Sequence, residues 1–134
     1  MSNHFRHFLK YQFPAIGWAL LIFIGSSIPA KYIPSHKIFT YDKLIHITLF
    51  SIFGILVYRA IQSKELIKSF SWVRVFFSIS VVILYGVLDE MHQGSVPGRT
   101  LDIWDAVADT VGGILAAIIV YVNHRHKQSA PQLQ

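Results

Sequence analysis

The chain has no cysteine, which excludes disulfides, thiolate metal ligands and a cysteine nucleophile and leaves the redox compartment open. Charge is scarce as well: 14% of the 134 residues are Asp, Glu, Lys or Arg, against roughly 25% in an average soluble domain. His-Glu-x-x-His, Gly-x-Ser-x-Gly and a phosphate-cradling glycine loop are all missing, so the common hydrolase and nucleotide-binding signatures do not apply. The net charge of +5 is not gathered into a basic patch with interleaved aromatics; it flanks apolar runs, which argues against nucleic acid as a partner.

What the chain does have is apolar surface. It is 53% hydrophobic with a mean hydropathy of +0.46, more than one small core can hide, so the surplus is expected to face lipid. Four apolar runs carry it: Phe13–Ile28, Tyr41–Ile61, Phe70–Leu88 and Leu101–Val122. The last three, at roughly 19 to 22 residues, suffice to cross a ~30 Å hydrocarbon core at about 1.5 Å per residue, and the first does so only with flanking residues. The first run is too long for a signal-peptide core and is followed by no convincing small-x-small cleavage site. The sequence therefore predicts an all-α membrane bundle of four transmembrane helices over residues 13–125, between a basic tail (1–12) and a polar tail (126–134). The third connection, Gly94 to Thr100, is short and holds a Pro97-Gly98 turn signal, which makes helices three and four an antiparallel hairpin.

Lys and Arg set the expected orientation. The N-terminal tail, the middle connection and the C-terminal tail hold eight of the twelve (Arg6, Lys10, Arg59, Lys64, Lys68, Arg74, Arg125, Lys127), while loops one and three hold Lys31, Lys37, Lys43 and Arg99. Both termini are accordingly expected in the cytoplasm and loops one and three outside. Trp18, Tyr32, Tyr41 and Tyr121 are candidate interfacial anchors.

The polar residues gather in one stretch. Tyr85 to Gly113 contains five of the seven acids, Asp89, Glu90, Asp102, Asp105 and Asp109, with His92, Gln93 and Arg99. Charges beside membrane spans are costly, so they point to function. On helix four, Asp102, Asp105 and Asp109 share a face at i, i+3 and i+7; on helix three, Asp89, His92 and Gln93 share one, with Glu90 turned about 100° away. Helix two adds Asp42 and His46, one turn apart. Plainer roles exist for each: Asp102 suits a helix N-terminus, Asp109 suits a packing acid, and Arg99 suits an internal salt bridge to Asp102 or Asp89 as well as a bound phosphate or carboxylate. The set fits three chemistries. A divalent metal held by residues among His46, Asp89, Asp105 and Asp109 would activate water or hold a phosphate. An Asp89 and His46 or His92 pair would do metal-free acid/base chemistry as a hydrolase or transferase. Intramembrane acids would relay protons or ions, a transport role for which four helices need a homo-oligomer. A structural or partner-binding protein, with polar groups that only lock the bundle, is the remaining reading.

Ser26-Ser27-x-Pro29, Asp42-Lys43-x-x-His46, Asp89-Glu90-x-x-Gln93, Val96-Pro97-Gly98-Arg99, Asp102-x-x-Asp105 and Gly112 together resemble the VanZ-like family of small membrane proteins, from about Ala15 to Val120. The resemblance implies a multi-pass protein of the bacterial cytoplasmic membrane, and the family's namesake is linked to tolerance of the glycopeptide teicoplanin. At Asp109 the chain departs from the asparagine family members often carry, which implies a hydrogen-bonding scaffold there. With the cluster facing outside, the expected ligand is amphiphilic or a lipid-linked cell-wall intermediate, met by Asp42, Gln93, Arg99, Asp102, Asp105 and Asp109, with Lys31 or Lys37 nearby.

Overall fold

The computed structural model describes residues 2–33, 38–61 and 70–129, with side chains for all of these except 38–40. Pro34, His36, Lys37, Ser63, Lys64 and Lys68 lie outside the described residues. Every regular element among those described is helical. Helix α1 covers Asn3–Ser26 and α2 Ile38–Ala60; α3 is Trp72–Gln93 and α4 Ile103–Ser129. All four are long and apolar enough to cross a membrane.

The helices outrun the hydropathy that predicts them. Helix α3 continues past Leu88 through Asp89 and Glu90 to Gln93, and α4 continues past Val122 to Ser129. Helix α1 begins at Asn3, ahead of the apolar run, with Ser2 capping it by accepting from the Phe5 N–H at 3.3 Å, and passes through a π-helical stretch, Phe8–Gln12, one residue before Pro14. Backbone hydrogen bonds sustain a helix wherever polar side chains find partners, so a fall in hydropathy does not end one.

Helices α2, α3 and α4 form the core, and small residues let them approach. A Cβ on Gly112 would sit 2.6 Å from the Ile47 carbonyl oxygen of α2, and one on Gly54 would sit 2.7 Å from the Ala116 Cβ of α4. Phe50, Phe53, Val57 and Val82 fill the interior with Ile22 of α1. Along α3 and α4 the contacting pairs are Glu90 with Asp102, Gly86 with Asp109, Val82 with Gly113, and Trp72 with Tyr121.

Helix α1 is peripheral: 11% of its most apolar window is buried, against 33% for each other span. Polar contacts tether it. The Trp18 indole donates to the Leu49 carbonyl at 3.0 Å, and the Tyr85 hydroxyl donates to the Ala19 carbonyl at 2.6 Å. Trp18 thus joins two helices, whereas Tyr32, Tyr41 and Tyr121 are exposed as interfacial anchors would be. At the far end of the bundle Arg74, counted above as a connection charge, is buried, with its guanidinium 5.2 Å from the centre of the Tyr58 ring.

The third connection explains its own composition. The Arg99 N–H donates to the Val96 carbonyl at 3.1 Å, closing a turn with Pro97 and Gly98 at its centre, and Gly98 takes φ +78°. Those are the residues a type II turn requires. The first connection docks there: the Ala30 N–H donates to the Pro97 carbonyl at 3.2 Å.

Candidate functional site

The chemistry-bearing side chains meet where the ends of α2, α3 and α4 lie beside the Pro97-Gly98 turn. His46 is buried on α2, and its Nδ1 is 2.9 Å from Asp109 Oδ1 on α4. Asp109 is fully buried; as a carboxylate it accepts a hydrogen bond from Nδ1, and Nε2 is the ring nitrogen on the opposite side of the imidazole. That Nε2 faces Asp42 Oδ1 at 4.0 Å and Asp105 Oδ2 at 3.9 Å.

Lys43, next along α2, reaches across to α4. Its ammonium pairs with Asp102 Oδ2 at 2.6 Å and with Asp105 Oδ1. Asp102 also caps α4, accepting from the Trp104 N–H at 2.9 Å, so the capping role expected for an acid there is realised. The Lys43 hydrogen bond, helped by the Trp104 N–H, holds the Asp102 carboxyl below its ordinary value.

Arg99 of the turn, with Gln93 and Asp89 of α3, forms a chain. Arg99 donates to Gln93 Oε1, and Gln93 Nε2 donates to Asp89 Oδ2 at 2.9 Å. Asp89 Oδ1 has no hydrogen-bond partner among the described residues although the residue is buried. Arg99 is half-buried and makes no ion pair among the described residues, so most of its N–H groups remain available.

Two cavities open on these groups. An inner one of ≈ 340 Å³ is walled by Trp18, Leu21, Ile22, Ile45, Leu49 and Phe50, with Asp42, His46, Asp89, Gln93 and Arg99 at its polar end. An outer one of ≈ 420 Å³ is lined by Lys43, Thr100, Asp102 and Asp105 among others. Both are bounded by Ile33, Asp42, Gln93 and Arg99.

Of the residues singled out by sequence, Asp42, His46, Asp89, Gln93, Arg99, Asp102 and Asp105 line these cavities. Asp109 stands behind His46 and lines neither. His92 turns toward α1, its Nε2 2.8 Å from the Ser27 hydroxyl and its ring stacked on Phe23 at 4.5 Å. Glu90, read as turned away, is buried and accepts from the Asp102 N–H at 3.0 Å. Helix α3 packs between the cavity on one side and α4 on the other, so positions about 100° apart both face inward. Lys43 was missed as a site residue; its signal was the i, i+3 acid pair on another helix, invisible without the register between helices.

A helical bundle of membrane-spanning length, with a histidine and carboxylates buried at one end, defines a multi-pass membrane protein. The chain belongs to the VanZ/LLP1 family, whose model matches residues 8–124 and so reaches into all four spans. No curated protein and no solved structure matches it.

Proposed function

We propose that this end of the bundle binds a polyprenyl phosphate or a similar phosphate-bearing lipid of the cell envelope, with the hydrocarbon in the inner cavity and the phosphate at Arg99. The observation that carries the reading is the shared boundary of the two cavities. An apolar chamber and a charged one meet at Arg99, whose guanidinium has donors to spare. An amphiphile needs that pairing of environments, and guanidinium suits phosphate by its forked donors.

In this reading α3 and α4 form an antiparallel hairpin, supported by the order of their contacting pairs, and the excess of Lys and Arg in the termini and middle connection supports an outward-facing pocket. The ligand is then a lipid-linked wall intermediate, and its capture would link the protein to teicoplanin tolerance, as the family's namesake implies. The test is binding to purified protein in nanodiscs. A polyprenyl phosphate should bind at least ~10-fold more tightly than the matching uncharged polyprenol, since a charge-assisted contact is worth about 1.5–3 kcal/mol, and Arg99→Gln should abolish the difference. In cells, the same substitution should remove any gain in teicoplanin tolerance. Equal affinity for the phosphate and the alcohol would sink the proposal.

A further inference from the structure

We infer that Asp42, His46 and Asp105 bind a divalent cation of the manganese or zinc type, with Asp109 orienting the histidine. One donor atom from each of the three ligands lies within 4.8 Å of the other two. They come from two helices, so the bundle places them together and no local turn does. Two carboxylate oxygens and one imidazole nitrogen are a hard and borderline donor set, suited to manganese and zinc and poorly suited to soft cations.

Three observations beyond the cluster of acids point to a ligand. His46 is 8% exposed, its Nδ1 is bonded to Asp109, and its Nε2 makes no hydrogen bond among the described residues. A buried carboxylate on Nδ1 with Nε2 facing two further carboxylates is the arrangement that outer-shell partners give a metal-binding histidine. Asp89, 5% exposed, lines the same cavity as Asp42 and His46, and its Oδ1 has no hydrogen-bond partner among the described residues. Charge supplies the third. Asp42, Asp89, Glu90, Asp102, Asp105 and Asp109 share this end with the Lys43 ammonium, the Arg99 guanidinium and the His46 imidazole among the described residues. Such an excess beside lipid calls for a cation or for protons.

The donors stand wider than a metal would hold them. Ligand atoms ~2.1 Å from a four-coordinate zinc are roughly 3.4 Å apart, and His46 Nε2 is 3.9 and 4.0 Å from the two carboxylates. Rotation of Asp42, whose side chain is 28% exposed, supplies the closure. Lys43 holds the other oxygen of Asp105, so it competes with the cation for the same carboxylate. The inference stands on these residues alone and does not depend on the lipid proposed above.

The test uses the full chain without an affinity tag, in detergent, with His4, His7, His36, His124 and His126 changed to Gln, which leaves His46 and the Ser27-bound His92 as the remaining imidazoles. After chelation, loading with Mn²⁺ or Zn²⁺ alone and desalting, elemental analysis should find one equivalent per chain. Asp42→Asn and Asp105→Asn should each weaken binding by at least the ~10–100-fold that loss of an outer-shell partner costs, and Asp109→Asn should fall within that range. Lys43→Met should tighten binding several-fold, an effect that a purely structural role for these residues does not produce. If Asp105→Asn does not fold, Asp42→Asn decides, because its side chain is partly exposed. Failure to retain one equivalent of either metal, undiminished binding in Asp42→Asn, or weaker binding in Lys43→Met would each overturn the assignment, and the first would leave protons to offset the charge.

Discussion

His46 Nδ1 and Asp109 Oδ1 lie 2.9 Å apart, and this one bond joins α2 to α4 at the depth where both helices are buried. Asp109 Oδ2 has no hydrogen-bond partner among the described residues and is pressed toward Gly86, where a Cβ would lie 2.8 Å from it. Asp109→Ala should therefore destabilise the protein by about 1–3 kcal/mol, the range for leaving a buried polar partner unsatisfied. Asp109→Asn keeps an acceptor for Nδ1 and should cost much less. Thermal unfolding in detergent measures both, and an equal loss from Asn and Ala would show that the hydrogen bond is not what matters.

Gly112 is a point of close approach between α4 and α2. The Ile47 carbonyl, the Phe50 Cβ and the Ser51 nitrogen all lie within 3.0 Å of where its Cβ would be. Backbone on α2 cannot yield as a side-chain tip can, so Gly112→Ala should cost about 1–3 kcal/mol as an overpacked contact. Gly17, with nothing near its Cβ position, is the control. Gly17→Ala should leave stability unchanged or raise it by up to ~1 kcal/mol. Comparable losses at both positions would argue against close approach as the cause.

Asp102 sits just before α4, and Lys43 keeps its carboxyl below the ordinary 3.8. A carboxyl lowered in the folded state stabilises the fold above its unfolded value, and that contribution fades as pH falls through the lowered value. Stability attributable to this pair should be constant from neutrality down to about pH 5 and decline only below pH ~4. Asp102→Asn should remove that part of the acid dependence. Unfolding midpoints measured across pH 3 to 7 on both forms test it, and superimposable curves would refute it.

Sidedness can be read without background because the chain has no cysteine. Single cysteines at Ser95, beside the Pro97-Gly98 turn, and at Ser63, in the middle connection, should behave oppositely. An impermeant thiol reagent applied to intact cells should label Ser95→Cys and spare Ser63→Cys; the reverse pattern would invert the proposed orientation.

The spans were legible because hydropathy integrates over some twenty residues and survives local exceptions. Their polar ends were legible only in part. Asp89 to Gln93 reads as a continuation of helix three, and α3 does carry it as helix, with Gln93, Asp102 and Arg99 supplying the partners that the sequence could not assign. Periodicity placed Asp89 and Gln93 together but could not tell His92, turned to Ser27, from its neighbours, nor see that Glu90 faces α4. Lys43 and Arg74 illustrate one cause. Both counted as topology charges, and only the packing of α2 on α4, and of α3 beside Tyr58, shows what each one touches.

Helix α1 carries one more consequence. It shares little buried surface with the rest and is fastened by Trp18 to Leu49, by Tyr85 to Ala19 and by Ser27 to His92. Trp18, Leu21 and Ile22 are at the same time one wall of the inner cavity. Of the four helices this one is the least costly to displace, because hydrocarbon replaces its apolar contacts almost without penalty. In the lipid-binding reading proposed above, that wall doubles as a side door, through which a chain already dissolved in the bilayer would enter sideways without ever crossing water.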